Sequence, residues 1–297
     1  MKILLATDGS EYSEGAAKFL TNLQFSSDDE LTVLHVISWV AFRDDVESYH
    51  ASLKHIKQEI APKILDSAVD ILKPVNAKIS TALLEGDSRN SIIDVAINSD
   101  ADLIVMGARG LKGIKSLMVG SVTRSVAVNS PIPVLVIKPS QFEPPGKLKI
   151  LFATDGSEYA DATGKFLASM PFPDKSEVTV LNVIWSALSD IPERFFIETD
   201  DRIKETVARV RTTEFSESEK VLQSARESLR EKFPGVKVLT KVGDPSTEIL
   251  AAAEASNTDI IVVGCRGLRG VKGMVGSVSR NILRHSTCSV LIGKPCG

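Results

Sequence analysis

The sequence predicts an α/β fold with two tandem domains, each containing a parallel sheet covered by helices. Short apolar runs alternate along the chain with longer segments in which apolar residues recur every three or four positions. The first pattern is typical of strands buried on both faces, and the second is typical of amphipathic helices. Strands that alternate with helices form right-handed βαβ units, and such units build a parallel sheet.

The division into two domains follows from an internal duplication. Residues 2–20 read KILLATDGSEYSEGAAKFL and residues 149–167 read KILFATDGSEYADATGKFL, at an offset of 147. Later the offset rises to 157, because the second copy has ten extra residues, and then falls to 156 after a glycine-rich loop that is one residue shorter. We therefore expect one domain over residues 1–140 and another over 147–297, joined by a short, stiff linker at 141–146.

Each copy contains apolar runs that predict five strands, with helices in the intervals. In the first copy the strands are Ile3–Thr7, Leu31–Ile37, Ala77–Leu84, Leu103–Met106 and Val134–Lys138. Ser10 caps the first helix, Asp87 caps a helix over Ser88–Asn98, and the last helix begins at Ser121. The remaining helix ends near Pro74 and is predicted by an apolar stripe: Leu53, Ile56, Ile60, Ile64, Ala68 and Ile71.

The ten extra residues of the second copy fall within 189–216. They precede a helix whose apolar positions include Leu222, Ala225 and Leu229. The insertion predicts either an enlarged loop, which could act as a lid or a partner surface, or a longer helix packed on its own domain.

Composition limits the classes of function. A net charge of −3, with 43% apolar and 25% charged residues, describes a soluble globular protein and gives no electrostatic reason to bind nucleic acid or an anionic membrane. Apolar runs fall short of the ~18 residues of a membrane span, and the chain enters a strand at residue 2, so we expect no signal peptide. The three cysteines lack metal-ligand spacing, which favours a cytoplasmic protein with free thiols. They are Cys265, Cys288 and Cys296.

The strongest functional signal is a glycine-rich loop after the fourth strand of each copy. The spacings are Gly107-x2-Gly110-x9-Gly120-Ser121 and Gly264-x2-Gly267-x8-Gly276-Ser277. Glycines let a ligand approach the backbone, and the free N–H groups of a helix start attract anions, so the pattern predicts a phosphate site. The sequence has neither a GxxxxGK[ST] motif nor a GxGxxG motif after strand one, which argues against a P-loop NTPase or a dinucleotide fold.

Charged residues near these loops have two interpretations. Asp8 and Asp155 end strand one of each copy, where they are either ligand-binding carboxylates or turn residues of Asp-Gly-Ser. The loop cations either neutralise phosphate or are solvated: Arg109, Lys112, Lys115, Arg266, Arg269 and Lys272. His35 is replaced by Asn182 in the second copy, which argues against a metal-binding or catalytic role for it.

Together these motifs resemble those of the universal stress protein (UspA-like) family. The matching marks cover nearly the whole chain: ATDGS, VLHVI, GDPSTEI (GDSRNSI in the first copy) and the G-x2-G-x9-G-[ST] loop. The resemblance implies two Rossmann-like domains of the adenine nucleotide alpha hydrolase-like type, with sheet order 3-2-1-4-5 and, as in ATP-binding members, ATP with Mg²⁺. It also implies that the fifth strands, Val134–Lys138 and Ser289–Gly293, pair within the chain as a pseudo-dimer. Two chains could then associate as a homodimer.

Carried over by position, the resemblance assigns two sets of nucleotide-binding residues. The first set is Ala6, Thr7, Asp8, Val36, Met106, Gly107, Arg109, Gly110, Gly120, Ser121 and Val122. The second set is Ala153, Thr154, Asp155, Val183, Val263, Gly264, Arg266, Gly267, Gly276, Ser277 and Val278. Asp8 and the main chain of Val36 would bind the adenosine end, and the loop residues would line the ribose and phosphates. The second loop departs from the family pattern by one missing residue.

Three functions are compatible with these features. The leading hypothesis is a stress-response protein that binds ATP and acts as a switch or sensor, with at most slow hydrolysis, because no nucleophile–base–orienter set is evident. An enzyme of adenylyl transfer or pyrophosphate cleavage would carry SGGxDS or HIGH at strand one, where this chain has ATDGS. The third is a scaffold or a module for another small ligand, and the second domain is the better candidate for it.

Overall fold

The computed structural model describes residues 1–38, 47–110, 119–138, 147–186, 188–189, 191–192, 194–197, 200–268 and 275–294. The first copy contains β1 (Lys2–Ala6), α1 (Glu11–Leu20), β2 (Glu30–Ile37), α2 (Glu47–Leu72), β3 (Lys78–Glu85), α3 (Ser88–Asn98), β4 (Leu103–Gly107), α4 (Ser121–Asn129) and β5 (Val134–Ile137). The second copy contains β6 (Lys149–Ala153), α5 (Glu158–Ser169), β7 (Glu177–Ile184), α6 (Arg194–Ile197), α7 (Asp201–Leu229), β8 (Lys237–Val242), α8 (Pro245–Ala255), β9 (Ile260–Gly264), α9 (Ser277–His285) and β10 (Ser289–Gly293). The predicted linker at 141–146 lies outside the described residues.

A single ten-stranded sheet runs through both copies. Its order is β3-β2-β1-β4-β5-β10-β9-β6-β7-β8, so each half has the predicted order 3-2-1-4-5. Pairing is parallel within each half. The α/β fold class and the parallel sheets are therefore confirmed.

The two halves join through β5 and β10, which pair antiparallel. Leu135 lies opposite Leu291, and these two residues hold equivalent positions in the two copies. An approximate two-fold axis therefore passes between them. The junction covers two apolar strands that would otherwise be exposed sheet edges, which are prone to aggregation.

Helices cover both faces of the sheet and create two apolar layers. Alternate residues of a strand point to opposite faces, so Leu5 packs with Phe19 and Leu65 in one layer. Its neighbour Leu4 packs with Ile92 in the other layer. The first layer lies under α1 and α2 and the second under α3 and α4, and the second copy repeats the arrangement.

The apolar stripe predicted for α2 is wrong in its N-terminal half. Ile56 and Ile60 are 51% and 47% exposed, and among the side chains described, from residue 54 onward, the buried face begins at Ala61. A helix of 26 residues is about 39 Å long, whereas the eight-residue strand β2 beside it spans about 26 Å. The part of α2 that carries Ile56 and Ile60 therefore extends beyond the carboxyl edge of the sheet and has no strand to pack against.

The insertion of the second copy is divided between a helix and a connection. Helix α7 has 29 residues, three more than α2, and the other extra residues precede it, where α6 lies. Ser186 Oγ donates to Glu214 Oε2 at 2.8 Å and so ties this connection to α7. Both alternatives raised by the sequence, an enlarged loop and a longer helix, are thus present in part.

The two copies fill the same region of the core with different combinations of a strand residue and a helix residue. Leu5 packs near Ala17 in the first copy, and their equivalents in the second copy are Phe152 and Gly164. A Cβ atom at Gly164 would lie 3.2 Å from Phe152 Cε1. The larger strand residue is therefore accommodated by the smaller helix residue, which keeps the packing dense.

A second exchange runs in the opposite direction. Ile137 and Ala16 of the first copy correspond to Gly293 and Thr163 of the second. A Cβ atom at Gly293 would overlap the side chain of Thr163, whose hydroxyl donates to Tyr159 O at 2.6 Å. Here the strand residue is small because the helix residue is larger.

Gly293→Ala is expected to lower the free energy of unfolding by about 1–3 kcal/mol, the usual range for overpacking. Adding Thr163→Ala should recover most of this loss, because the pair then resembles Ile137 beside Ala16. Urea denaturation of the wild type, both single variants and the double variant measures the coupling. Additive effects of the two substitutions would contradict this account of the packing.

Two buried lysines connect the copies across the junction. Lys138 Nζ donates to Leu283 O at 2.9 Å and to Ser286 O at 2.5 Å, at the end of α9. Lys294 Nζ donates to Val128 O at 3.4 Å, near the end of α4. Each lysine thus binds helix C-terminal carbonyls of the other copy, where the helix dipole favours a cation. Burial lowers the pKa of both lysines to about 8.

These lysines predict a pH dependence of stability. Because their pKa is about 8 in the folded state and 10.5 in the reference state, the unfolded chain binds more protons between these values, and stability rises with pH there. We compare the free energy of unfolding of the wild type with that of the Lys138→Met/Lys294→Met variant. The advantage of the wild type over the variant should increase between pH 7.5 and 9.5, by at most about 1.4 kcal/mol per pH unit per lysine. Denaturant titrations of both proteins at the two pH values measure it, and a flat or falling difference would contradict it.

Candidate functional site

The candidate sites lie at the carboxyl edge of the sheet, between the first and fourth strands of each half. Strand β1 pairs with β4 and β6 pairs with β9, so Asp8 and Asp155 lie beside the starts of the two glycine-rich loops. In parallel α/β sheets, ligands bind in the crevice outside the strand ends where the strand order reverses. The strand order places that reversal between these two strands in both halves.

The Asp-Gly-Ser segment forms the same turn in both copies. Ser10 N donates to Asp8 Oδ1 at 3.1 Å, and Ser10 Oγ accepts from Ser13 N to cap α1. Ser157 N donates to Asp155 Oδ1 at 3.1 Å in the same way. The glycine between them has a φ of +76° or +75°, a conformation that L side chains rarely adopt. The interpretation of these aspartates as turn residues is therefore correct, but it is incomplete.

The same two aspartates also support the glycine-rich loops. A Cβ atom at Gly110 would overlap Asp8 Oδ2, and one at Gly267 would overlap Asp155 Oδ2. Leu268 N also donates to Asp155 Oδ2 at 2.8 Å. One carboxylate oxygen thus holds the turn after strand one while the other lies under the loop after strand four. Each aspartate thus contacts both of the segments that border its crevice.

His35 and Asn182 perform the same structural task. His35 Nδ1 donates to Thr7 O at 2.8 Å, and Asn182 Nδ2 donates to Thr154 O at 2.8 Å. Each side chain donates a hydrogen bond to the main-chain carbonyl just before the aspartate that is present in both copies, Asp8 or Asp155. The exchange between the copies therefore preserves a hydrogen bond, which gives His35 a structural role.

Packing among the described residues explains two of the three glycines of the first loop. At Gly107 a Cβ atom would lie 2.5 Å from Tyr12 C, so this glycine lets β4 pack against the backbone of α1. Gly110 leaves room for the carboxylate of Asp8. At Gly120 the nearest atom in the described parts of the chain, Arg109 Cα, would be 3.5 Å away, and the φ of −61° suits any residue. Protein packing among the described residues therefore gives no reason for glycine at 120.

The second copy shows the same absence of a packing reason. A Cβ atom at Gly276 would lie 3.5 Å from Cys265 O, with φ at −61° and ψ at 158°. Each glycine also joins the two ends of its loop by a main-chain hydrogen bond, since Gly120 N donates to Ala108 O at 2.8 Å and Gly276 N donates to Cys265 O at 2.7 Å. A ligand that approaches the backbone closely would supply the missing reason for glycine.

Helices α4 and α9 begin without a side-chain cap. Their N-cap residues are Gly120 and Gly276, which have no side chain to accept a hydrogen bond. Five other described helices have side-chain caps, including the two predicted caps Ser10 and Asp87; the caps are Ser10, Asp87, Ser157, Asp200 and Asp244. Among the described residues, no side chain thus caps the first N–H groups of α4 and α9, which lie at the positive end of the helix dipole, where anions bind.

Each loop also carries an arginine stacked on a tyrosine. Arg109 Nη1 donates to Tyr12 Oη at 3.1 Å, and Arg266 Nη1 donates to Tyr159 Oη at 2.9 Å. The guanidinium carbons lie 5.3 Å and 5.0 Å from the ring centroids. Neither tyrosine was predicted as a site residue, although the DGSEY segment is present in both copies.

The structure brings most of the predicted residues to the two strand-end crevices. The first group ends β1, β2 and β4 or begins α4: Ala6, Thr7, Asp8, Val36, Met106, Gly107, Arg109, Gly110, Gly120, Ser121 and Val122. The second group is equivalent: Ala153, Thr154, Asp155, Val183, Val263, Gly264, Arg266, Gly267, Gly276, Ser277 and Val278. Lys112, Lys115, Arg269, Lys272 and Cys296 lie outside the described residues.

Two of the three cysteines lie in the described part of the chain. Cys265 and Cys288 are free and buried, and burial raises the pKa of both thiols. Among the described residues, no group of three or more His, Cys, Asp or Glu side chains could hold a metal ion. Within the same ranges, none of the helices combines the length and the apolar character needed to cross a bilayer.

Comparison with known proteins identifies the family. A sequence model of the universal stress protein family matches residues 1–138 and again residues 148–294. The chain belongs to the universal stress protein family. A universal stress protein from Mycolicibacterium smegmatis is 24% identical over 304 residues, covering 99% of this chain and 97% of that protein. Universal stress protein MJ0531 from Methanocaldococcus jannaschii is 33% identical over 138 residues, which is 46% of this chain and 81% of the relative.

A solved structure shares the fold over nearly the whole chain. The crystal structure of a universal stress protein from Archaeoglobus fulgidus DSM 4304 matches with a TM-score of 0.63 at 24% identity. The match covers 99% of this chain and 96% of that chain. At this level of identity the similarity shows the fold, and the function has to be argued from the crevices themselves.

Proposed function

We propose that this universal stress protein binds ATP at the carboxyl edge of each half-sheet and acts as a nucleotide-dependent switch or sensor in a stress response. The observation that carries the proposal is the glycine at the start of α4 and of α9. Gly120 and Gly276 begin uncapped helices at positions where the described protein atoms leave room for a side chain. A phosphate group that binds the helix N-terminus accounts for both the absent side chain and the absent cap.

The crevice offers different chemistry at its two ends. The phosphates would bind the N–H groups of Ser121 and Val122, or of Ser277 and Val278 in the second half. The adenosine end would then extend towards Asp8 and the main chain of Val36, on the strands that lie on the other side of the crevice. Asp8 and Asp155 supply carboxylates at the same edge, and Mg²⁺ in nucleotide sites is held by phosphates with one or two carboxylates.

Binding without rapid turnover is the mode of action that we propose. Among the described residues, the crevice shows no hydroxyl or thiol paired with a histidine base, the usual arrangement for nucleophilic catalysis. Slow ATP hydrolysis would serve as a timer for the switch. We place the two ATP-binding domains at residues 1–140 and 147–297, in a protein of the cytoplasm that can associate as a homodimer.

A second candidate function applies to the second domain. Its loop has eight residues between Gly267 and Gly276, one fewer than the equivalent loop of the first domain. Under this second candidate function, the second domain would hold another small ligand or serve as a scaffold, and only the first domain would bind ATP.

The direct test is to denature freshly purified protein and to quantify the released nucleotide by chromatography and mass spectrometry. Two ATP per chain would support two equivalent sites, and one per chain would support a specialised second domain. No nucleotide on isolation, together with no binding of added MgATP in calorimetry, would reject the switch and favour the scaffold or the module for another ligand.

A further inference from the structure

The arginine–tyrosine pair recurs with the same geometry in two crevices whose surroundings have diverged. Arg109 and Tyr12 are both half-buried, as are Arg266 and Tyr159. The neighbouring Ser13 has become Ala160 in the second copy, yet the stacking and the hydrogen bond between the side chains are retained. This contact is retained although a neighbouring residue has changed, which indicates that it has the same role in both halves.

The pair spans the crevice between the two strand ends. Tyr12 lies in the first turn of α1, which follows β1, whereas Arg109 lies in the loop that follows β4. The position of Tyr12 is set by packing, because its backbone lies directly against Gly107. Ser10 Oγ also donates to Arg109 O at 3.4 Å, so the main chain of the arginine is held to the cap of α1 as well.

Two positive elements therefore border each crevice on different sides. The uncapped start of α4 offers N–H groups on the β4 side, and the guanidinium of Arg109 is held on the α1 side. A single phosphate at the helix start occupies only the first element. A chain of phosphates that crosses the crevice contacts both elements.

We propose that Tyr12 and Tyr159 are positioning residues that hold Arg109 and Arg266 for the outer phosphates of a nucleoside di- or triphosphate. The inference rests on the proposed nucleotide function and extends it, since it assigns the preference for a polyphosphate to the tyrosines. A free arginine side chain samples many rotamers, and the stacking confines it before the ligand arrives. This preorganisation favours binding because the ordering does not have to accompany it.

The test measures affinities for MgATP, MgADP and AMP by calorimetry in matched double variants, so that both crevices change together. Tyr12→Leu with Tyr159→Leu is expected to weaken ATP and ADP binding about tenfold and AMP binding less than twofold. Tyr12→Phe with Tyr159→Phe keeps the ring under the guanidinium and should restore most of the affinity. Arg109→Met with Arg266→Met should likewise weaken ATP binding more than AMP binding. Adding Tyr12→Leu and Tyr159→Leu to this variant should cause no further loss of ATP affinity.

Lys18→Met with Lys165→Met is the control for a general change of charge. These exposed lysines occupy equivalent positions farther along α1 and α5, and their loss should leave all three affinities unchanged. Equal weakening of ATP and AMP by the Leu variants, or additive losses with the Arg variants, would overturn the positioning role while leaving nucleotide binding intact. A wild type that binds none of the three nucleotides would overturn both proposals, and the two failures are thus distinguishable.

Discussion

Gly107→Ala is expected to lower the free energy of unfolding by about 3 kcal/mol, at the upper end of the range for overpacking. The added Cβ atom would lie 2.5 Å from Tyr12 C, 2.6 Å from Tyr12 O and 2.8 Å from Ser13 N. These are backbone atoms in the capped first turn of α1, which cannot turn aside as the end of a flexible side chain can. Either α1 or the end of β4 must move, and both are part of the buried layer.

The equivalent glycine of the second copy is the matched control. A Cβ atom at Gly264 would lie 3.3 Å from Ala160 N, so a shift of a few tenths of an ångström relieves the contact. Gly264→Ala should therefore destabilise the protein by about 1 kcal/mol or less, at the low end of the same range. Thermal and urea denaturation of the two variants measure the difference. Equal losses in the two variants would show that the close approach of α1 to Gly107 is not the source of the effect.

Local rules were sufficient to predict most of the elements. Helix α3 has the predicted bounds Ser88–Asn98 and the predicted Asp87 cap, because capping and periodicity depend on residues that are close in the sequence. The sheet order followed from the family resemblance. The glycine-rich loop and Asp8 lie at one edge of the sheet because β1 and β4 are neighbours.

Features that depend on distant parts of the chain were missed. The exposure of Ile60 depends on the length of α2 relative to the sheet, which no local pattern encodes. The role of Tyr12 depends on its hydrogen bond with Arg109, which is 97 positions away in the sequence and which β4 brings close to it. Lys138 ended a predicted strand, but its binding to Leu283 required the docking of the other copy. The reasons for Gly107 and Gly110 likewise became visible only with α1 and Asp8 in place.

Gly120→Val is expected to remove one of the two bound nucleotides per chain while leaving the fold unchanged. The backbone at 120 has φ −61° and ψ 156°, a region that valine adopts readily. The described atoms nearest to the new Cβ are at 3.5 Å or more, an ordinary contact distance. The side chain would occupy the space in front of the N–H groups of α4, so the phosphate could no longer approach them. We expect affinity at this site to fall at least 100-fold, with the melting temperature of the nucleotide-free protein within about 2 °C of the wild type.

Gly276→Val and Gly15→Ala complete the experiment. Gly276→Val should remove the other nucleotide, and the double variant should be isolated with none, which assigns each bound nucleotide to one helix start. Gly15 lies in α1 with no atom of the described chain within 4 Å of its would-be Cβ, so Gly15→Ala controls for replacing a glycine and should retain both nucleotides. Stoichiometry is read from released nucleotide after denaturation, and folding from far-UV circular dichroism. A folded double variant that still carries two ATP per chain would show that the nucleotide binds elsewhere, because a phosphate cannot occupy a helix start that a valine has closed.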